Sequence, residues 1–198
     1  MISFRQLVLG AYPEYPSGAS LPEVAVQGVE CDSRRVQPGF VFVAVRGAKL
    51  DGSAFVEEAI RRGALAVVSE TPAETKLPFI CVTDSREALA RLASVFYGDP
   101  SKKLKIAGVT GTNGKTTTTY LAEFILEKAG RKTGVLGTIS YRYAGIEQPA
   151  VETTPGPLKL QQIFFDMASA GCRTAVMEVS SHALHQGRTA GIHFAAAV

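Results

Sequence analysis

Lys115 and Thr116 directly follow Gly111-Thr112-Asn113-Gly114, and Thr117 comes next. A lysine supplies a compact positive charge, and a neighbouring hydroxyl is a hard ligand suited to Mg²⁺. Two glycines three positions apart let backbone N–H groups close around an anion with no Cβ in the way. An apolar stretch at 104–109 leads into this turn, and a helix-forming stretch at 115–129 leads out. The turn therefore opens on a helix N-terminus, worth about half an elementary positive charge. Strand, glycine turn, lysine and hydroxyl in this order form a phosphate loop. Lys115 is expected to reach the β- and γ-phosphates of ATP, and Thr116 to ligate the Mg²⁺ that bridges them. Gly111, Thr112, Asn113, Gly114, Lys115, Thr116 and Thr117 are thus the candidate nucleotide-binding residues, with Lys115 also catalytic. The strict pattern has a further glycine where this chain has Val109, so the loop is the short variant Gly-x-x-Gly-Lys-Thr.

Other residues carry weaker signals. Glu178 ends the apolar stretch 174–179. Ligands of open α/β sheets gather at such carboxyl ends, where an acidic oxygen could hold Mg²⁺; a solvated strand-end glutamate is the plainer alternative. Thr153-Thr154-Pro155 reads as a helix-entry turn. Asp32-Ser33-Arg34 reads as a turn between strands, and Arg188, taken alone, as a surface charge. His182 and His185 lie three apart, but no third ligand has suitable spacing for a metal. Ser181 lies in no Gly-x-Ser-x-Gly elbow, which argues against a hydrolase.

Positioning these groups requires a parallel sheet. In residues 1–100, strands are expected at 24–31, 40–45, 64–69 and 79–82. Helices are expected from Asp51 to Arg62, ended by Gly63, and from about Ser85 to Tyr97. The polar turn 98–103 marks a domain boundary. In residues 101–198, strands are expected at 104–109, 133–136, 174–179 and 192–198, with helices at 115–129 and 158–170; 141–151 reads as irregular. Phe164 and Phe165 read as core. Alternation of this kind gives an α/β fold with helices on both faces of the sheet. The chain stops inside its last strand, so a fragment of a longer protein is expected.

Composition excludes several classes. Net charge is +3 over 198 residues, with no Trp and six Tyr, which does not suit nucleic acid. Apolar runs are too short to span a bilayer, and residues 1–5 do not begin a signal peptide, so the cytosol is the default. Cys31, Cys81 and Cys172 are odd in number and far apart, which argues for reduced thiols rather than disulfides or zinc.

The loop from Gly111 to Thr118 resembles that of the Mur ligases and their relative folylpolyglutamate synthase. Asp32-Ser33-Arg34, Val36-x-Pro38-Gly39-x-Val41-Phe42-Val43-Ala44, Gly47 and Asp51-Gly52 resemble the N-terminal UDP-binding domain of that family. Thr153-Thr154-Pro155 and Met177-Glu178-Val179-Ser180-Ser181-His182-Ala183-Leu184, with Gln186 and Arg188, resemble the family member that adds the third, diamino-acid residue of a cell-wall precursor. The resemblance covers nearly the whole chain. It implies a small UDP-precursor-binding α/β domain (1–100) followed by the first part of a P-loop parallel-sheet ATPase domain (101–198). The implied partners are UDP-N-acetylmuramoyl-L-Ala-D-Glu and a diamino acid, the cofactors ATP and Mg²⁺, and the assembly a monomer. It further implies that Thr116 and Glu178 hold the metal, and that Ser33, Thr153, Thr154, Ser180, Gln186 and Arg188 hold the precursor. Arg34 and Arg35 would add charge near its pyrophosphate. The family's second ATPase half and its amino-acid-binding domain would lie beyond Val198. A fragment that binds precursor or ATP without turnover is therefore the alternative to a working ligase, and a P-loop ATPase acting elsewhere is a third reading.

Overall fold

A computed structural model of the chain describes residues 2–16, 21–47 and 50–198; Met1, part of the stretch read for a signal, lies outside them. The described residues form two compact units, the first ending at Phe96 and the second starting at Tyr97. Both are mixed α/β with parallel sheets.

The first unit opens with helix α1 (Phe4–Ala11), which the sequence reading missed. Ser3 and Gln6 form a reciprocal capping box, and Phe4, Leu7, Val8 and Ala11 give the helix one buried face. Strands β1 (Gly28–Glu30), β2 (Phe40–Ala44), β3 (Ala66–Ser69) and β4 (Phe79–Cys81) pair in sequence order, all parallel. The expected strand 24–31 is shortened because its first residues pair elsewhere. Phe4 N–H donates to Val24 O, and Val26 N–H to Ile2 O. The expected helix from Asp51 begins as a tight 3-10 turn, Gly52–Phe55, and only Val56–Arg61 is α-helical (α2). Helix α3 spans Ser85–Phe96. Phe42, Ala44 and Val67 pack with Val56 and Ala59 of α2 in one cluster. Val41 and Val43, also buried, point to the opposite face, as strand alternation requires.

The second unit comprises β5 (Lys105–Val109), α4 (Lys115–Lys128), β6 (Thr133–Leu136), β7 (Ser140–Tyr143), β8 (Ile146–Pro149), α5 (Pro157–Ser169), β9 (Thr174–Glu178), α6 (Ser181–His185) and β10 (Phe194–Ala197). Sheet order is β10-β5-β9-β6-β7-β8. The first four are parallel, and β7 and β8 form an antiparallel hairpin on β6. The stretch expected to be irregular is therefore this hairpin. Ala144 and Gly145 both have positive φ, +48° and +82°, which matches the twist of a two-residue hairpin turn. Leu160, Ile163, Phe164 and Met167 of α5 pack with Ile106, Leu136, Ala175 and Met177 on one face of the sheet. Phe165, expected in the core, is 43% exposed and meets Tyr97 instead. The pleat sends alternate residues Thr174, Val176 and Glu178 to the other face, where α4 lies along β5, β6 and β9. Among the described residues no helix is long and apolar enough to cross a membrane.

Candidate functional site

β5 ends at Val109, and the chain turns through residues 110–114 into α4. Gly114 is the N-cap residue at φ +82°, a left-handed conformation that a Cβ would strain. It offers no capping side chain, so the first-turn N–H groups remain for an external acceptor. Lys115 Nζ folds over the loop and donates to Gly111 O at 2.6 Å. Thr112, Asn113, Gly114, Lys115, Thr116, Thr117, Thr138 and Glu178 line one open cleft of about 340 Å³. The structure thus gathers the sequence-derived loop and Glu178 in one place, and it adds Thr138. Gly111 contributes its carbonyl to Lys115 rather than a wall of the cleft.

Val109 pairs with Glu178 across β5 and β9. Glu178 is 1% exposed, so the plainer reading of it as a solvated strand end is not what the fold builds. Its Oε1 accepts from Thr138 N–H at 3.0 Å and its Oε2 from Thr138 Oγ1 at 3.0 Å. Among the described residues no lysine, arginine or histidine forms an ion pair with it. A buried carboxylate without a cation is costly, and a divalent ion in the cleft would offset that cost. The donor set fits Mg²⁺: hard oxygens, one carboxylate, and room for phosphates and water. No cluster of three or more His, Cys, Asp or Glu suited to a metal exists among the described residues.

Gly137 keeps this arrangement possible. A β-carbon there would stand 2.5 Å from Glu178 Oε1. Gly137→Ala is therefore expected to destabilise the second unit by about 1–3 kcal/mol or to push the carboxylate off Thr138. Denaturant unfolding of the variant checks this; unchanged stability and unchanged metal response would refute it.

A second group of predicted residues forms the wall beside Glu178. Thr154 is 1% exposed; its hydroxyl donates to Glu178 O at 2.9 Å and accepts from Ser180 N–H at 3.0 Å. It staples the wall from behind. Thr153 Oγ1 lies 3.1 Å from Thr138 Oγ1. Ser180 caps α6, its Oγ accepting from Ala183 N–H. Gln186 follows α6, and its Oε1 accepts from Arg188 Nε at 2.8 Å. Arg188 Nη1 also donates to Thr154 O at 2.7 Å and pairs with Glu152 Oε1 at 2.8 Å. The Tyr141 hydroxyl, from β7, donates to Glu152 O. Arg188 is therefore a guanidinium held by Gln186, Thr154 and Glu152, not a free surface charge. Sequence reading missed Thr138, Glu152 and Tyr141. Position alone could have found Thr138, since it lies two residues past the carboxyl end of β6, next to β9.

In the first unit, Ser33 starts a 3-10 turn capped by Asp32 after β1. It is 5% exposed, and its Oγ donates to Glu58 Oε2 at 2.6 Å. That bond is the main cause holding the Glu58 carboxyl below its usual range. Arg34 pairs with Asp32 at 2.7 Å and Arg35 with Glu30 at 3.2 Å, so both charges are matched locally. Buried Glu30 also accepts from Cys31 N–H and Asp32 N–H, which fixes the turn that carries Ser33.

Comparison with known proteins adds an independent line. The Mur ligase family catalytic-domain profile matches residues 25–97, and the Mur ligase middle-domain profile matches residues 109–198. The UDP-N-acetylmuramoyl-L-alanyl-D-glutamate--2,6-diaminopimelate ligase of Geobacillus thermodenitrificans (strain NG80-2) is 48% identical over 173 residues, covering 87% of this chain and 35% of that protein. The ligase of the same name from Listeria innocua serovar 6a is 44% identical over 192 residues, 96% of this chain and 39% of its own. A solved UDP-N-acetylmuramoyl-L-alanyl-D-glutamate--2,6-diaminopimelate ligase superposes with TM-score 0.79 at 31% identity, over 98% of this chain and 39% of that one. The MurF ligase of Thermotoga maritima, solved in complex with ADP, gives TM-score 0.55 at 29% identity over 79% of this chain and 32% of that chain. The chain thus spans less than two-fifths of the length of these relatives.

Proposed function

The chain belongs to the Mur ligase family, and from that premise we propose that it forms the precursor- and ATP-binding part of the ligase adding the diamino-acid residue to UDP-N-acetylmuramoyl-L-Ala-D-Glu in the cytosol. The observation carrying this reading is the shared cleft, lined by an uncapped helix N-terminus, Lys115 and a buried carboxylate, Glu178, that has no ion-pair partner among the described residues. The names of the relatives point to 2,6-diaminopimelate as the incoming amine.

In the proposed reaction ATP activates the D-glutamyl side-chain carboxylate as an acyl phosphate, which the amine then attacks with loss of phosphate. The chain brings two anions together and must neutralise both. The α4 N–H groups and Lys115 hold the phosphates, with Lys115 exchanging Gly111 O for phosphate oxygen. Thr116 and Glu178 would hold Mg²⁺, which supplies Lewis-acid charge neutralisation. Arg188, fixed by Gln186, Thr154 and Glu152, presents its remaining donors to a precursor carboxylate, with Thr153 and Ser180 alongside. Ser33, on a turn whose backbone is fixed by Glu30 and Asp32, serves the uridine and pyrophosphate end.

A second reading is that these 198 residues bind precursor and nucleotide without turnover. Calorimetry with the UDP-muramoyl-dipeptide and ATP tests both readings, and ADP release on adding a diamino acid separates them. Absence of precursor binding would leave only a P-loop ATPase of other purpose. Ser33→Ala is expected to weaken precursor binding by about 1–2 kcal/mol, roughly 5- to 30-fold, while sparing ATP. Equal precursor affinity in variant and parent would remove Ser33 from the site.

A further inference from the structure

Among the described residues, Thr138 is the one that binds both oxygens of Glu178. Its N–H and its hydroxyl each donate at 3.0 Å. Gly137 clears the space for that grip, and both Thr138 and Glu178 line the phosphate-loop cleft. A hydroxyl has one proton to give. Because Thr138 spends its proton on Glu178, the 3.1 Å contact with Thr153 must run the other way, Thr153 donating to Thr138. The result is a directed chain from Thr153 through Thr138 to Glu178.

We propose that Thr138 is a positioning residue: it orients the Glu178 carboxylate for the divalent cation that accompanies the nucleotide, and it joins that carboxylate to the Thr153 wall. The proposal rests on the reading of the cleft as a Mg²⁺–nucleotide site. Groups that orient a ligating carboxylate typically change metal affinity 10- to 100-fold when lost. Thr138 keeps its backbone N–H in any variant, so only the hydroxyl half of the grip is tested by substitution.

The test compares the chain with Thr138→Val and Thr138→Ser. Valine keeps the branched shape and removes the hydroxyl; serine keeps the hydroxyl. Binding of the β,γ-imido analogue of ATP is titrated with and without Mg²⁺, and Mn²⁺ binding is followed by electron paramagnetic resonance. Thr138→Val is expected to weaken the divalent ion about 10- to 100-fold, to leave metal-free nucleotide affinity unchanged, and to melt near the parent temperature. Thr138→Ser is expected to restore the metal response. Equal Mn²⁺ affinity in Thr138→Val and the parent would overturn the proposal. So would a Thr138→Ser variant as weak as Thr138→Val, or a Thr138→Val variant that loses metal-free nucleotide binding, since Thr138 would then act on the phosphates themselves. A parent chain whose nucleotide affinity ignores Mg²⁺ would overturn the metal reading of the cleft, and the role of Thr138 with it.

Discussion

Lys115→Ala is expected to lower ATP affinity about 100-fold, close to 3 kcal/mol, and to leave the fold intact. The free chain uses the ammonium for a single hydrogen bond, to Gly111 O. Such a bond contributes only about 1 kcal/mol net, and the loop stays anchored by β5 and α4. With nucleotide bound, the same ammonium would face phosphate oxygens inside a cleft, where charge-assisted bonds are strongest. Calorimetric titration of ATP into parent and variant gives the ratio directly, and near-equal affinities would remove the phosphate loop from the function. Far-UV circular dichroism separates this outcome from unfolding.

Glu178→Gln is expected to have two opposite effects. Glutamine preserves the volume, and its Oε1 can still accept from Thr138 N–H. Its amide can donate to Thr138 Oγ1 once that hydroxyl rotates. The buried site no longer carries an uncompensated charge, so in the absence of divalent ions the variant should melt a few degrees above the parent, about 1 kcal/mol more stable. Mg²⁺ should then raise the melting temperature of the parent with nucleotide but not that of the variant, whose metal affinity falls by on the order of 100-fold or more. A variant that melts below the parent without metal, yet keeps the full Mg²⁺ response, would show that Glu178 is a structural carboxylate only.

The strands carrying the site were legible because each combines an apolar run with a turn signal: 104–109, 133–136 and 174–179 fall within a residue or so of β5, β6 and β9. The phosphate loop was legible because its chemistry is contiguous. The rest of the site is not contiguous. Thr138 and Glu178 are forty residues apart, and only the adjacency of β6 and β9 brings them together. Helix α1 was missed because its signal, a Ser3–Gln6 cap, is short and lies at the start of the chain. The β7–β8 hairpin was missed because its turn is Ala144-Gly145, where an Asn or Asp at the first position would have announced it. Exposure within α4 also runs against simple patterning. Leu121, Phe124 and Ile125 are 58%, 60% and 64% exposed, while its one fully buried residue is Thr119, whose Oγ1 donates to Thr116 O. Ser33 was read as a turn hydroxyl available to a ligand, but its tie to Glu58 on α2 depends on tertiary packing that no local pattern encodes.

The pairing of Val109 with Glu178 has a thermal corollary. The two halves of the cleft leave adjacent strands at one height, so their separation is a property of the ladder rather than of any side chain. A slip of one residue would turn the carboxylate to the α5 side and away from the loop. Competence for nucleotide should therefore vanish in step with the sheet on heating, as a single cooperative loss, and not fade earlier as a mobile loop would.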